Sequence, residues 1–349
     1  MPSRPATMSD VARRAGVHQA TVSRALRDDP RITPAQRATV KRAAAELGYR
    51  TNPLVAALMS VRRRGRAPTY QATLGYLTKY PPERAAWFRR EFGQLFSGAT
   101  ARAAEQGYRL EEFNLADPAL TPARITEILC SRGVHGLIVA PLHSVHDSID
   151  IDWSRFCTVA VGYSLSHVAV HRIAHSHFAG YSLAVRHCRE LGGQRPGLVL
   201  QRRVHEKVEK RWVAAALLDQ SEYPGLSAVP PLLPDELREQ EFAAWFREHR
   251  PDVILGVSLP DVPRWLRRLG LRVPRDVGLV SLDRRPADRE LAGVAQDYAG
   301  LGGNGVDVLI GMLHRNERGL PAKPLTVLSD GLWIDGGSLR ARPASARRG

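Results

Sequence analysis

Four polar side chains near the amino end have the types and the spacing needed to contact a nucleic acid. Gln19, Thr21, Ser23 and Arg24 all fall in the stretch HQATVSRAL at residues 18–26. Glutamine can pair with the edge of adenine through two hydrogen bonds, and arginine can pair with guanine in the same way. Hydroxyl side chains bond to phosphate oxygens. This combination predicts a surface that reads the bases and holds the backbone of DNA.

The apolar residues around these side chains predict two short helices joined by a tight turn. Val22, Ala25 and Leu26 recur at helical spacing, so the opposite face of the second helix is expected to be buried. A similar apolar stripe precedes Gly16, and glycine ends helices readily because it tolerates a left-handed backbone. A helix–turn–helix places the start of its second helix in the major groove. Taken alone, the pattern also fits any small amphipathic helical hairpin.

A third helix and a basic segment follow the pair. Thr33 as N-cap and Pro34 in the first turn predict a helix start, and Gly48 is expected to end that helix. Residues 51–60 are predicted to form a two-turn helix, which is barely stable alone in water. Residues 60–68 form a basic linker.

The positive charge is concentrated in this amino-terminal part. The chain of 349 residues has a formal net charge of +15, and residues 1–66 carry 14 Lys and Arg against 4 Asp and Glu. Most of the excess therefore sits on about one-fifth of the chain, which is typical of a module that binds a polyanion. An acidic membrane would also attract it, but no large apolar face accompanies the charge.

The motifs DVARRAGVHQATVSRAL, ITPAQR and ELGYRTNPLVAAL, with the basic linker, resemble the DNA-binding headpiece and hinge of the LacI/GalR family of bacterial transcriptional regulators. The resemblance implies that Gln19, Ala20 and Arg24 read bases. It also implies that Asn52 opens a hinge helix and that Leu58 inserts into the minor groove, where an apolar wedge bends the duplex. The residues expected to touch phosphates or frame the groove are Met8, Ser9, His18, Thr21, Ser23, Thr33 and Tyr49. His18 stands where many relatives carry serine as N-cap, and histidine is a poorer cap.

From residue 72 onward, strand and helix patterns alternate, which predicts parallel sheets covered by helices on both faces. The stretches HCRELGGQRPGLVL, LRVPRDVGLVSLD and QDYAGLGGNGVDVLIGML resemble the periplasmic-binding-protein-like core of the same family. The predicted fold class is thus α/β, with an N-terminal three-helix helix–turn–helix headpiece and a two-subdomain core. In that family the chain crosses between subdomains three times, and we expect the crossings near Tyr163, near residues 284–286 and near residues 320–324. The expected boundaries are 1–51 for the headpiece, 52–68 for hinge and linker, 69–338 for the core and 339–349 for a basic tail.

Ligands of such folds bind between the two halves, at the carboxyl ends of strands. Arg211 falls where the family has an effector-binding arginine, although it also fits a surface arginine beside Glu209. Asp283 ends a strand and could accept from a sugar hydroxyl or cap the next turn. Trp87 could stack on a sugar or simply pack its helix. With His175, these are the predicted effector-binding residues.

The cleft also departs from the family pattern. Where relatives usually carry an Asp–Asn pair, this chain has His175 and Ser176, and where they carry Asn–Asp it has Ser258 and Leu259. The sequence therefore does not identify the effector, and it leaves open whether a small molecule still controls the protein. Four nearby histidines could face one way on an extended segment, but a polar strand edge is the favoured interpretation over a metal site; they are His167, His171, His175 and His177.

No catalytic motif, cofactor motif or metal-binding spacing is present, so we expect neither an enzyme nor a cofactor. The cysteines Cys130, Cys157 and Cys188 are expected to be reduced thiols. With no signal peptide or long apolar run, the sequence predicts a cytoplasmic, nucleoid-associated protein without membrane contact.

Together these features predict a repressor that binds a pseudo-palindromic, double-stranded operator as a homodimer and responds to a sugar-like ligand. The dimer is expected because the family's tetramer-forming C-terminal heptads are absent. The alternative is a sugar-binding receptor or a sugar-acting enzyme whose basic amino end is incidental.

Overall fold

The computed structural model describes most of the chain, with several gaps; the described ranges are 7–26, 31–47, 49, 72–117, 119–223 and 228–340. The predicted hinge helix with Asn52 and Leu58, the basic linker and most of the tail lie outside these ranges. No helix among the described residues is both long and apolar enough to cross a lipid bilayer.

Three helices form the amino-terminal unit: α1 (Met8–Ala15), α2 (Gln19–Ala25) and α3 (Pro34–Glu46). Thr7 begins α1 with a reciprocal capping box, in which its side chain accepts from the Asp10 amide and the Asp10 carboxylate accepts from the Thr7 amide. Gly16 ends α1 in the left-handed region, at φ 64°, as the sequence predicts. The buried core of the unit is made of one apolar stripe from each helix together with Ile32, which precedes α3; its members are Val11, Ala12, Val22, Ala25, Ile32, Val40, Ala43 and Ala44.

The remaining elements alternate between strands and helices. In chain order they are β1 (Ala72–Thr78), α4 (Ala85–Glu105), β2 (Tyr108–Asn114), α5 (Pro122–Ser131), β3 (Gly136–Val139), β4 (Cys157–Val161), β5 (His171–His175), α6 (His177–Glu190), β6 (Pro196–Val199), α7 (Arg202–Lys207), α8 (Arg211–Glu222), α9 (Glu239–His249), β7 (Val253–Gly256), α10 (Val262–Arg268), β8 (Gly278–Arg284), β9 (Ala292–Ala295), α11 (Tyr298–Arg315), β10 (Thr326–Ser329) and β11 (Leu332–Ile334). Single 3₁₀ turns cover Pro82–Arg84 and Trp153–Arg155.

The strands form two separate sheets, one in each lobe of the core. The first has the order β10-β5-β4-β3-β1-β2 with all strands parallel, and the second has the order β11-β9-β8-β7-β6 with only β11 antiparallel. Strands β3, β4 and β7 are buried along their whole length, because helices cover both faces of each sheet. The predicted α/β core with two subdomains is therefore confirmed.

The chain does cross between the lobes three times, but each crossing comes later than predicted. The crossings lie between β5 and α6, between β9 and α11, and between β10 and β11. The first crossing lies after β5 and not near Tyr163, because β5 is a further strand of the first sheet. Its sequence, HRIAH, is rich in polar residues and lacks the apolar pattern that predicts a buried strand. One of them, Arg172, folds its guanidinium back to donate to the Leu165 and Val168 carbonyls. A polar side chain is thereby accommodated inside a strand.

Two local features of the core follow from its backbone. Helix α8 begins at Arg211, because the preceding Glu209 and Lys210 both have positive φ angles, of 50° and 63°. Two glycines, Gly302 and Gly303, lie inside α11, although glycine is unfavourable in a helix. The reason is tight packing of α11 on α4: a Cβ on Gly302 would lie 2.1 Å from the Leu95 carbonyl oxygen, so only glycine fits there.

The two glycines allow a matched test of this packing. We expect Gly302→Ala to destabilise the core by roughly 1–3 kcal/mol, because its Cβ would overlap the backbone of α4. Gly303→Ala is the control, because its Cβ meets only the Arg102 side chain, at 3.6 Å, and alanine favours a helix by about 1 kcal/mol over glycine. Urea unfolding of both variants measures the difference. Equal stability of the two would contradict the packing argument.

Candidate functional site

The outer face of α2 presents the predicted base-reading residues to solvent. Gln19, Ala20 and Arg24 are exposed, whereas Val22 and Ala25 on the opposite face are fully buried in the headpiece core. Helix α2 can therefore be placed in a groove without disturbing the packing behind it. The other predicted DNA contacts vary in exposure: Ser9, His18 and Thr33 are exposed, and Met8, Thr21, Ser23 and Tyr49 are half-buried.

His18 does cap α2, although histidine is an unusual choice. Its Nδ1 accepts a hydrogen bond from the Ala20 amide at 3.3 Å, which is the role a serine oxygen fills elsewhere. Thr33 caps α3 in the same way, through the Gln36 amide at 3.3 Å. Tyr49 returns to the headpiece core, where its amide donates to the Ala44 carbonyl. These contacts fix the start of each helix that faces the predicted DNA surface.

A second candidate site lies between the two lobes, and Arg211 lies within it. The Arg211 guanidinium sits 4.5 Å from the ring centroid of Tyr163, which follows β4 in the first lobe. Its Nη2 also donates to Glu209 Oε2 at 2.8 Å. The two interpretations of Arg211 are therefore compatible, because it pairs with Glu209 while also contacting the opposite lobe.

Asp283 is the centre of a buried network that sequence reasoning largely missed. Its Oδ2 accepts from Arg285 Nη2 and from the Tyr298 hydroxyl, both at 2.9 Å. Arg285 Nη1 donates to the Glu91 backbone carbonyl on α4 at 2.8 Å. Asp283 and Arg285 belong to the second lobe, whereas Glu91 and Tyr298 belong to helices packed on the first sheet. Burial raises the pKa of Asp283, and the nearby Arg285 charge opposes that rise.

His175 and His177 lie between the lobes as neutral rings. The His175 ring is 4.8 Å from Tyr298 and the His177 ring is 4.6 Å from Trp212, both edge to face. Burial lowers the pKa of His175 to about 4 and that of His177 to about 3. Nearby positive charge, from Arg285 and from Arg211 respectively, lowers them further.

The other two histidines of the predicted cluster face elsewhere. His171 Nδ1 accepts from the Leu325 amide, and His167 Nε2 accepts from the Ile149 amide. In the part of the chain that the structure describes, no three His, Cys, Asp or Glu side chains are grouped to hold a metal ion. Ser258, which follows β7 at a position where the sequence departs from the family pattern, has a φ of 53°. Asp261, three residues later, forms an ion pair with Arg264.

Trp87 is half-buried beside a cavity at the carboxyl ends of β1, β2 and β3. Its ring packs edge-on against Phe92, at 6.0 Å, and His143, at 5.9 Å, so part of the ring serves to pack α4. The cavity has a volume of about 640 Å³; it is lined by Lys79, Pro81, Glu83, Arg84, Leu115, Ala116, Asp117, Leu120, His143 and Asp147. In the first sheet, β1 and β3 are the strands at which the strand order reverses, where open α/β sheets bind ligands.

Several buried polar atoms between the lobes have no hydrogen-bond partner. Buried polar groups in proteins are nearly always paired, so a cluster of unpaired ones is typical of a ligand-binding cleft. The atoms are Tyr163 Oη, both ring nitrogens of His175, His177 Nδ1, Arg211 Nε, Trp212 Nε1 and Asp283 Oδ1. Arg211 Nε and Trp212 Nε1 can only donate and Asp283 Oδ1 accepts, whereas the neutral His175 ring and the Tyr163 hydroxyl can each donate and accept. Of these six residues, the sequence predicted Arg211, Asp283 and His175 as effector-binding, assigned His177 to a polar strand edge, and gave Tyr163 and Trp212 no ligand role.

Comparison with known proteins gives two matching family models. Residues 7–52 match the family described as bacterial regulatory proteins, lacI family, and residues 185–339 match the periplasmic binding protein-like domain. The HTH-type transcriptional regulator MalR of Streptomyces coelicolor is 28% identical over 296 residues, which is 80% of each chain.

Solved structures share the fold at lower identity. A lac repressor dimer bound to operator and an anti-inducer has 19% identity and a TM-score of 0.56, covering 97% of this chain and 100% of that one. A complex of the transcriptional regulator CelR with cellobiose has 18% identity and a TM-score of 0.55, covering 95% and 99%.

The buried histidines predict a loss of stability in mild acid. In the unfolded chain a histidine titrates near 6.5, so below that pH the unfolded state takes up protons that the folded rings cannot accept. Stability is therefore full above pH 6.5 and falls as the pH drops toward about 4. We expect each of His175 and His177 to account for a loss of about 2 kcal/mol between pH 7 and pH 5.

Urea unfolding at pH 7 and pH 5 measures this loss. His175→Gln should reduce it, whereas His314→Gln, at an exposed site on α11, should leave it unchanged. If the His175 and His314 variants lose the same stability between the two pH values, the neutral state of the buried ring is not the cause.

Proposed function

The chain belongs to the LacI family of bacterial regulatory proteins, and we propose that it is a repressor that binds a pseudo-palindromic operator as a homodimer and is modulated by a sugar-like ligand. Transcriptional regulation through sequence-specific DNA binding is the function of the related regulators. The observation that carries the proposal is the headpiece: a capped helix whose polar face is exposed and whose apolar face is buried.

The proposed DNA surface is α2 with the helix ends around it. In this proposal Gln19, Ala20 and Arg24 contact base edges, while the flanking residues contact phosphates. Those flanking residues are Met8, Ser9, His18, Thr21, Ser23, Thr33 and Tyr49. Asn52 and Leu58 keep their proposed hinge roles, which rest on the family motif alone. Two copies related by a two-fold axis would place two such surfaces on inverted half-sites.

The proposed effector site is the cleft between the lobes, with Arg211, Asp283, Trp87 and His175 as binding residues. The network of Asp283, Arg285, Tyr298 and Glu91 supports this, because it joins the lobes at the place where a ligand would bind. A ligand that bonds to Asp283 would compete with Arg285 and change the angle between the lobes. Coupling of that angle to the hinge would then alter operator affinity.

The alternative of a sugar receptor or a sugar-acting enzyme is less well supported, because neither needs a helix–turn–helix. The related proteins are regulators, and this family is not one of enzymes. We also propose that the protein acts in the cytoplasm, on chromosomal DNA, since that is where an operator-binding dimer finds its target.

Headpiece variants test the proposal directly. An operator is first selected from random DNA by the full-length protein, and affinities are then measured by gel shift. We expect Arg24→Ala to weaken binding by about 1–3 kcal/mol through loss of a base contact, and Leu58→Ala to weaken it through loss of the bend. Arg42→Ala removes the same charge from an exposed position on α3 and is the matched control.

Affinity should also fall steeply as salt concentration rises, because bound phosphates release counterions. Two results would overturn the proposal: failure to select any preferred sequence, or equal affinities for the wild type and both headpiece variants.

A further inference from the structure

Cationic side chains of the first lobe line the cavity beside Trp87, and others from the second lobe lie near it. The first lobe contributes Lys79, Arg84 and His143 to its lining. From the second lobe, Lys207 extends across to α4, where its Nζ lies 5.7 Å from the ring centroid of Phe92. Arg84, Lys207 and Arg203 all act electrostatically on His143, so the five groups share one region of space.

The lysine and arginine charges here are satisfied only by neutral groups. Lys79 Nζ donates to the Ser148 carbonyl at 2.6 Å, and Arg203 Nε donates to the Gln201 side-chain oxygen at 2.9 Å. Arg84 Nη1 lies 2.9 Å from Nε2 of His143, close enough to donate to the neutral ring. Among the described residues, none of these three cations forms an ion pair, and neither does Lys207; the neighbouring pairs instead join Glu91 to Arg90 and Arg285.

The three carboxylates that line the cavity, Glu83, Asp117 and Asp147, offset part of this charge without forming ion pairs with the four cations. Asp147 Oδ2 accepts from the Ser144 amide at 2.8 Å, and Asp117 Oδ1 accepts from the Ala119 amide at 2.9 Å, so both stabilise turns of the wall. Glu83 is exposed to solvent. By formal charge, the four cations Lys79, Arg84, Arg203 and Lys207 exceed the three lining carboxylates by one, so a net charge of +1 remains in this partly buried space.

The pKa shifts of Lys207 and His143 agree with an excess of positive charge around them. Burial lowers the pKa of Lys207 to about 8, with the charge of Arg203 adding to the effect and Asp147 and Glu91 opposing it. Burial also lowers the pKa of His143, as do the charges of Arg84, Lys207 and Arg203, while Asp147 opposes them. Each of these groups would gain from a negative charge placed between them.

We propose that this cavity binds the anionic group, a phosphate or a carboxylate, of a sugar-sized ligand, held by Arg84 and His143 from one lobe and Lys207 from the other. The inference rests on the proposed function, because this ligand would be its effector. The cavity's volume of about 640 Å³ suits such a molecule. Trp87 lies at the cavity edge, where it can flank the sugar ring. An anion shared by both lobes would draw them together.

Binding of charged and neutral probes to the full-length protein tests this. Glucose 6-phosphate, gluconate and inorganic phosphate are compared with glucose by isothermal titration calorimetry at pH 7. We expect at least one anionic probe to bind about tenfold more tightly than glucose, a difference of about 1.4 kcal/mol. The phosphate and carboxylate probes distinguish the two sources of charge. If no anionic probe binds more tightly than glucose, the proposal is wrong.

Charge-removing variants locate the site. Lys207→Met keeps most of the aliphatic stem, and Arg84→Gln changes an exposed residue whose loss does not threaten folding. Each should lower affinity for the anionic probe about tenfold and leave glucose binding unchanged. Lys323→Met, at an exposed lysine before β10, is the matched control and should bind like the wild type. Unchanged affinity in both cleft variants, or an equal loss in the control, would overturn the assignment.

Proton uptake on binding separates a direct role of Lys207 from an effect of its substitution on folding. A bound anion should raise the pKa of Lys207, so binding at pH 8 should take up protons, seen as a dependence of the heat on the buffer. Lys207→Met should abolish that dependence, and its persistence would exclude Lys207. Operator selection by the wild type is scored separately. Failure there rejects the proposed function, whereas operator binding without anion preference rejects only this inference.

Discussion

The relative position of the two lobes depends on one shared arginine. Arg285 is largely buried and binds Asp283 in its own lobe, while its other bonds reach Glu91 and Tyr298 across the cleft. Breaking a buried ion pair by removing one partner typically costs 3–5 kcal/mol, so this network resists small displacements. A polar ligand that bonds to Asp283 would compete directly with this contact between the lobes. The hydrogen bonds of Arg285 thus both hold the lobes in position and give a ligand a contact to displace.

The headpiece could be predicted almost completely because its structure is determined by residues close together in the chain. The capping box joins Thr7 to Asp10, the cap of α3 joins Thr33 to Gln36, and Gly16 ends α1. The buried stripes follow helical spacing. The exception is His18, which the sequence marked only as a poor cap and whose ring nitrogen takes the role of a hydroxyl. Which of these residues touch DNA remains a prediction.

The cleft could be predicted only in part because its contacts join distant parts of the chain. Arg285 meets Glu91 across 194 positions, and no local pattern marks either residue as a partner of the other. The sequence identified Asp283 from its place at a strand end but left its capping and ligand-binding roles about equal. Gly302 shows the same limit, because its neighbour Leu95 belongs to another helix. Burial of His175 and His177 likewise became visible only when the lobes were assembled.

The three crossings also determine the order in which the protein can fold during synthesis. Apart from its edge strand β11, the second lobe is one continuous stretch, from α6 to β9. The first lobe is not, because α11 and β10, which cover and complete its sheet, are translated after that stretch. During synthesis the headpiece is complete first, and the stretch α6 to β9 of the second lobe is complete before the first lobe is. Until α11 has been translated, the central strands of the first sheet lack the helix that covers one of their faces. A cleft competent for ligand therefore exists only after α11 and β10 have been translated, so a shorter nascent chain that already holds its headpiece cannot yet respond to a ligand.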